Sequence, residues 1–169
     1  MTDHDIKLDI RNFGCRLNAL DADYTKAALA EAKIKDATVI NSCAVTHEAV
    51  RQARQSVRKA ARDNPSRPIF VTGCAAQTHT DTFVDMPEVT KVIGNEEKFN
   101  PQSWRGAGVN VSDIMALEKA VPRPPAPKQA RARAFVQVQT GCDHRCTFCI
   151  IPFGRGNSRS TPIEAVVND

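Results

Sequence analysis

The sequence contains no apolar run that approaches the roughly 20 residues that a membrane-spanning helix requires. It also has no basic region leading into an apolar segment near its start, because residues 2–5 are polar and two of the four are acidic. A secretory signal is therefore not expected. We expect a cytoplasmic protein that has no membrane partner and works in a reducing compartment.

A disulfide framework is equally unexpected, because the six cysteines would stay reduced in such a compartment. They are better interpreted as metal ligands or redox groups. The chain has 169 residues, of which 41% are hydrophobic. That is enough for one sizeable domain, or for one domain and a piece of another, so disorder is not expected for the whole chain.

Residues 121–133 contain no acidic residue and divide the chain. They include four prolines and four basic residues, and those four positive charges match the net charge of +4. Proline-rich segments are extended and stiff, so this segment is typical of a linker. We predict a first domain over residues 1–120, a basic proline-rich linker over 121–133, and the beginning of a second domain over 134–169.

Hydrophobic periodicity in the first domain predicts strands alternating with helices. Strands are predicted over residues 7–13, 38–41, 69–72 and 89–93, and helices from 18–21 to 32, from 46 to 62 and over 80–85. Residues 100–120 show no clear pattern. Such alternation implies right-handed crossover connections and a parallel sheet, and therefore an α/β fold.

The second unit opens with residues 134–140, in which apolar and polar residues alternate as in a strand. A cysteine-rich loop follows, and Thr161 and Pro162 then signal the start of a helix. This order predicts the beginning of a second strand–loop–helix unit. A complete (β/α) barrel needs roughly 200 residues or more, so 134–169 would be only its start.

Three cysteines, which we call the compact cysteines, lie within eight residues: Cys142, Cys146 and Cys149. Thiolates so close in sequence can converge on one metal centre, but structural zinc sites take four protein ligands. Three thiolates would leave one iron of a 4Fe-4S cluster free to bind S-adenosylmethionine (SAM). The alternative is a zinc knuckle in which His144 or a distant cysteine is the fourth ligand.

The other three, which we call the dispersed cysteines, each follow a predicted strand and a small residue: Cys15, Cys43 and Cys74. The carboxyl ends of parallel strands lie side by side, and open α/β sheets bind ligands at that edge. The dispersed cysteines could therefore meet at a second cluster. Alternatively, they are buried as small hydrophobic side chains, as free cysteines often are.

Five segments resemble the methylthiotransferase family of radical SAM enzymes. They are residues 14–18 (Gly-Cys-Arg-Leu-Asn), 41–46 (Asn-Ser-Cys-Ala-Val-Thr), 71–77 (Val-Thr-Gly-Cys-Ala-Ala-Gln), 92–95 (Val-Ile-Gly-Asn) and 141–156, which contains the compact cysteines. They occur in the family's order and span nearly the whole chain. The resemblance implies a flavodoxin-like N-terminal domain with a parallel sheet, followed by a radical SAM (β/α) barrel.

The resemblance also implies two 4Fe-4S clusters and SAM as cofactors. The compact cysteines would hold the cluster that cleaves SAM reductively to a 5′-deoxyadenosyl radical, and Phe148 would pack near the SAM adenine. The dispersed cysteines would hold an auxiliary cluster that carries the methylated sulfur. In such enzymes the cofactors carry the chemistry, and the protein positions them and excludes water.

Residues 15–18 are similar to the branch of the family that acts on N6-threonylcarbamoyladenosine, and residues 154–160 agree with that branch. This resemblance implies methylthiolation at C2 of that adenosine, next to the anticodon. The implied partners are tRNA and an electron donor such as a flavodoxin or ferredoxin. We expect residues 1–169 alone to be inactive.

Other functions stay open at this point. The same chemistry could act on isopentenyladenosine in tRNA or on a ribosomal-protein aspartate. A non-catalytic metal-binding module is an alternative of another class. Flavin binding by the first domain is a further alternative, which the cysteines at the strand ends disfavour.

We also predict roles for a few residues outside the two cysteine groups. Four arginines fall on one face of the helix predicted over 46–62: Arg51, Arg54, Arg58 and Arg62. They either contact RNA phosphates or form a solvated face. For His47 we expect a surface or capping role, for His144 a loop position that faces the SAM site, and for Trp104 a local packing role.

Overall fold

A five-stranded parallel sheet forms the centre of the computed structural model, which describes residues 7–124 and 135–168. The strands are β1 (Lys7–Asn12), β2 (Asp36–Ser42), β3 (Ile69–Gly73), β4 (Lys91–Ile93) and β5 (Gly108–Asn110). Each strand pairs in parallel with the next, so the spatial order follows the chain order. The predicted α/β fold with a parallel sheet is confirmed.

Helices connect these strands and continue into the second segment. The α-helices are α1 (Arg16–Glu31), α2 (His47–Asp63), α3 (Cys74–Thr78), α4 (Thr80–Val84), α5 (Ile151–Arg155) and α6 (Ile163–Asn168). Short 3-10 helices span Glu97–Phe99, Pro101–Trp104 and Ile114–Ala116. Across the two described ranges, no helix has both the length and the apolar composition to cross a membrane.

The hydrophobic core lies on both faces of the sheet. Neighbouring residues of a strand point to opposite faces, so Val39 packs with Leu29 of α1 and with Trp104, whereas Ile40 packs with Val57 of α2. Strands covered by helices on both faces are shielded from solvent on both sides, and β3 is accordingly buried at every position. This three-layer arrangement is consistent with a flavodoxin-like domain.

The connections of the sheet differ from the expected crossovers. α1 packs on one face and α2 on the other, while the strand order advances in one direction from β1 to β3. Two connections that cross on opposite faces, while the strand order advances in one direction, have opposite handedness. One of them is therefore left-handed, and the expectation that every crossover is right-handed is wrong for that one. The strand order also differs from the 2-1-3-4-5 order of flavodoxin itself.

Several element boundaries in the first domain need correction. α1 begins at Arg16, earlier than the 18–21 start that the sequence indicated. The sequence did not indicate α3, which starts immediately after β3, nor β5, which lies in the segment without a clear pattern. Both elements are short and are held by neighbours distant in sequence, which local periodicity does not detect.

The second unit also differs from its prediction. Only Gln139–Thr140 (β6) of the strand predicted over 134–140 forms a ladder, and it is antiparallel to β7 (Arg159–Ser160). Val136 and Val138 are exposed, so their alternation with polar residues does not reflect a buried face. Pro162 immediately precedes α6, close to its predicted start. Of the predicted linker, residues 121–124 are neither helix nor strand, and 125–133 lie outside the described residues.

The N-terminus of α2 gives a test of the fold. The Thr46 side-chain oxygen accepts a hydrogen bond from the Ala49 backbone N–H at 3.1 Å, as a helix cap does. Replacing it, Thr46→Ala, should lower the free energy of unfolding by about 1 kcal/mol, because one amide of the first turn loses its partner. Urea unfolding measures the change. Thr46→Ser keeps the acceptor and should stay near the original value, and an equal loss in both variants would contradict the cap.

Candidate metal centre

The dispersed cysteines follow three adjacent strands of the sheet. Cys15 immediately precedes α1, shortly after β1, Cys43 directly follows β2, and Cys74 directly follows β3 as the first residue of α3. Because β1, β2 and β3 are neighbours, the three residues lie side by side at the carboxyl edge of the sheet. α1 and α2 leave this edge on opposite faces, and such a divergence opens the crevice where α/β sheets bind ligands.

Close packing brings the loop after β1 against Cys43. A Cβ added to Gly14 would lie 2.8 Å from the Cβ and 3.0 Å from the Sγ of Cys43, and the Gly14 φ is +148°. Only glycine therefore fits between the first two cysteines. Cys15 is exposed, whereas Cys43 and Cys74 are buried.

The Cys43 thiol lies within electrostatic reach of the other two dispersed cysteines. Burial raises the pKa of the Cys43 thiol, the Val45 N–H that donates to its Sγ at 3.5 Å opposes this, and Cys74 and Cys15 raise it further. In residues 7–124 and 135–168, no three His, Cys, Asp or Glu side chains form a group that could hold a metal ion. The dispersed cysteines are thus neighbours that do not converge on one point.

Buried amide and hydroxyl groups join the strand ends. The Asn18 Nδ2 donates to the Ser42 carbonyl at 3.0 Å, and the Asn41 Nδ2 donates to the Asn18 carbonyl at 2.8 Å. The Ser42 hydroxyl donates to the Thr72 carbonyl at 2.6 Å and accepts from the Ala76 N–H at 3.1 Å. Buried polar groups with partners rigidify the structure around them, so these bonds set the positions of all three loops.

A buried ion network lies beside this edge. The Oδ2 atom of Asp21 accepts from Lys98 Nζ at 2.7 Å and from Arg155 Nη2 at 2.6 Å. Arg155 also donates to Asn18 Oδ1 at 3.1 Å, and Lys98 donates to Asn95 Oδ1 at 2.8 Å. The network therefore connects α1, the turn after β4 and α5.

The charges of this network depend on one another. Burial alone would raise the pKa of the Asp21 carboxyl, but Arg155 and Lys98 outweigh burial and hold the pKa below its usual value of 3.8. Burial lowers the pKa of the Lys98 ammonium, which Asp21 opposes only in part. The sequence patterns did not predict this network. The one sequence feature that pointed to Arg155 was the similarity of residues 154–160 to a family segment.

The compact cysteines occupy a loop that folds back on the segment after it. The Cys142 N–H donates to the Gly156 carbonyl at 3.1 Å, and the Cys149 N–H donates to the Cys146 carbonyl at 3.0 Å. Arg145 donates to the Cys142 carbonyl at 2.9 Å. Cys146 is exposed, the other two compact cysteines are half-buried, and Phe148 is 92% exposed. The loop thus leaves its thiols and Phe148 accessible.

Residues 7–94 match a family described as "Uncharacterized protein family UPF0004". The match covers more than half of the chain and includes all three dispersed cysteines. The chain belongs to this family. UPF0004 is the N-terminal domain of methylthiotransferases, so the resemblance found in the sequence is confirmed.

Curated relatives of this UPF0004 chain carry methylthiotransferase names. Threonylcarbamoyladenosine tRNA methylthiotransferase MtaB of Rickettsia prowazekii is 42% identical over 166 residues, which cover 97% of this chain and 39% of that protein. MtaB of Bacillus subtilis is 32% identical over 169 residues, covering 91% and 38%. Ribosomal protein uS12 methylthiotransferase RimO of Rippkaea orientalis is 27% identical over 177 residues, covering 95% and 38%. The chain spans about two fifths of the length of these relatives.

The remaining candidate residues of this UPF0004 chain lie on α2, in the loop of the compact cysteines and in the core. Three of the four arginines on α2 are exposed and Arg54 is half-buried, and Arg51 pairs with Glu48 at 2.6 Å. His47 is the exposed first residue of α2, and His144 is exposed in the compact loop. Trp104 is buried, packs edge-on against Phe70 and donates to the Lys98 carbonyl at 2.9 Å, which confirms its packing role.

Removing the shared carboxylate tests the ion network. Asp21→Asn leaves two buried cations without a counter-charge, and breaking a buried pair costs about 3–5 kcal/mol of unfolding free energy. Urea unfolding at neutral pH measures this loss. Asp63→Asn, at an exposed position near the end of α2, is the matched control and should change little. A loss of the same size at both positions would contradict a special role for Asp21.

The same carboxylate makes a pH-dependent contribution. Because its pKa is lower in the folded than in the unfolded chain, the contribution is complete above the usual value of 3.8 and is lost as the pH falls through the lower folded pKa. Unfolding measured at a series of acidic pH values should therefore show a steeper loss in the wild type than in Asp21→Asn. Equal losses of stability with falling pH in the two proteins would contradict a pH-dependent contribution from Asp21.

Proposed function

We propose that this chain is the N-terminal part of a radical SAM methylthiotransferase that acts on tRNA. The observation that carries the proposal is the position of the dispersed cysteines after three adjacent strands of a UPF0004 domain. The compact cysteines follow in a loop whose C-terminal flank, α5, contacts the first domain through Arg155. The names of the relatives support the same activity class.

The dispersed cysteines would hold the auxiliary 4Fe-4S cluster. Their chemistry fits, because thiolates are the usual ligands of iron–sulfur clusters. Each thiolate binds a different iron of such a cluster, so the three sulfurs need not converge on one point. Gly14 leaves space beside the Cys43 sulfur, because a Cβ at position 14 would lie 3.0 Å from that sulfur.

The compact cysteines would hold the second 4Fe-4S cluster, with one iron left for SAM. When bound, these cofactors supply reductive cleavage of SAM and the sulfur that is transferred. The chain's own residues position them: Arg145 and the Gly156 carbonyl hold the loop through backbone groups of Cys142. The exposed ring of Phe148 would then cover the SAM adenine.

For the substrate, we propose C2 of N6-threonylcarbamoyladenosine next to the anticodon of tRNA. The segment over residues 15–18 and the names of the MtaB relatives favour this base. The exposed arginines of α2 would contact the RNA backbone, and a flavodoxin or ferredoxin in the cytoplasm would donate electrons. The RimO relative makes a ribosomal-protein aspartate the second candidate, and isopentenyladenosine in tRNA remains a third.

Iron content tests both clusters. After anaerobic reconstitution with iron and sulfide, the wild-type chain should hold roughly eight irons, two 4Fe-4S clusters. Changing all dispersed cysteines to alanine should remove roughly four, and changing all compact cysteines should remove the other four. Iron and zinc analysis of each protein measures this. Unchanged iron in either variant, or binding of zinc alone, would favour the non-catalytic metal-binding module.

The modified nucleoside tests the substrate. The full-length gene product should be expressed in a bacterium that lacks its own methylthiotransferases, and the tRNA nucleosides should be measured by mass spectrometry. We expect the 2-methylthio form of N6-threonylcarbamoyladenosine, which disappears when the compact cysteines are replaced. A methylthiolated isopentenyladenosine, or a methylthiolated ribosomal protein with unmodified tRNA, would instead assign one of the other two substrates.

A further inference from the structure

Helix α5 lies against Cys74, although it belongs to the segment that carries the compact cysteines. A Cβ added to Gly154 would lie 3.2 Å from the Cβ and 3.5 Å from the Sγ of Cys74. Asn95 Nδ2 donates both to the Cys74 Sγ, at 3.5 Å, and to the Gly154 carbonyl. The second segment therefore forms one wall of the dispersed cysteine site.

The buried ion network beside this wall carries unequal charges. Asp21 and Lys98 are fully buried and Arg155 is 4% exposed. Both cations bind the Oδ2 atom of Asp21, while its Oδ1 atom has no hydrogen-bond partner within the described part of the chain. Two cations and one carboxylate leave a surplus of one positive charge, and buried charge is costly unless an opposite charge compensates it.

Cys74 lies beside this surplus of positive charge. Asn95 donates to the Cys74 Sγ and accepts from Lys98 Nζ at 2.8 Å. Gly154, the residue before Arg155, lies against the Cys74 side chain. A metal ligand at this position is a thiolate by necessity. A 4Fe-4S cluster held by thiolates is negative overall, so the surplus positive charge of the network would lie beside an anionic cluster.

We propose that Arg155 is a positioning residue whose buried positive charge raises the reduction potential of the auxiliary cluster. The inference rests on the proposed function, because it requires that cluster at the dispersed cysteines. A nearby positive charge favours the reduced form of a cluster, which carries one more electron. Because Arg155 comes from the second segment, docking of that segment sets the electrostatic environment of the first cluster.

The test measures the reduction potential of the auxiliary cluster alone. The chain is reconstituted with the compact cysteines changed to alanine, and the cluster is titrated against a series of potentials with electron paramagnetic resonance as readout. Arg155→Met removes the charge but keeps the Asp21–Lys98 pair one to one, so the chain should still fold. Arg155→Lys keeps the charge. Arg159→Met is the matched control, since Arg159 is buried in the same segment but pairs with Glu96 at 2.6 Å.

We expect a more negative midpoint potential in Arg155→Met, and potentials near that of the parent in Arg155→Lys and Arg159→Met. Loss of iron from Arg155→Met alone would support the same role, because the anionic cluster then lacks its counter-charge. Equal potentials in all the proteins would overturn the inference, and so would equal iron loss in Arg155→Met and Arg155→Lys. A parent chain that binds no iron would overturn the proposed auxiliary cluster as well, so the two failures are distinguishable.

Discussion

The Asp21 carboxylate, bound by Lys98 and Arg155, is the interaction on which the arrangement of the two cysteine groups depends. Its partners lie 77 and 134 residues further along the chain. Asp21 stands on the helix that Cys15 immediately precedes, and Arg155 ends the short helix that follows the compact cysteines. One buried oxygen atom thereby joins both cysteine-bearing segments, and a buried carboxylate requires a cation to compensate its charge.

The sheet supplies the second constraint. Parallel strands in chain order present three consecutive loops at one edge, and each of these loops carries one cysteine. The helices α1 and α2 leave this edge on opposite faces of the sheet, while buried amides tie the backbones of the first two loops together. The edge is therefore open to a ligand and rigid at the same time, as a site that positions a cofactor requires.

Local sequence patterns predicted the parts of this fold that local forces determine. The strands β1 to β4 and the capped helix α2 carry strong periodicity and a threonine cap, so the sequence located them closely. The sequence did not predict α3 or β5, because each spans five residues or fewer and is held by residues that are distant in sequence. The alternation of apolar and polar residues over 134–140 predicted a longer strand than the structure has, because Val136 and Val138 are exposed rather than packed on a sheet face.

The sequence by itself determined the alternating α/β order, the position of each dispersed cysteine after a strand, the spacing of the compact cysteines and the resemblance to methylthiotransferases. These features depend on near neighbours in the chain, which periodicity and spacing record. Only the tertiary structure decided that Gly14 and Gly154 stand against cysteine side chains and that Arg155 is buried with Asp21. Charged residues are mostly exposed, and a burial that depends on a partner 134 residues away leaves no local pattern to read.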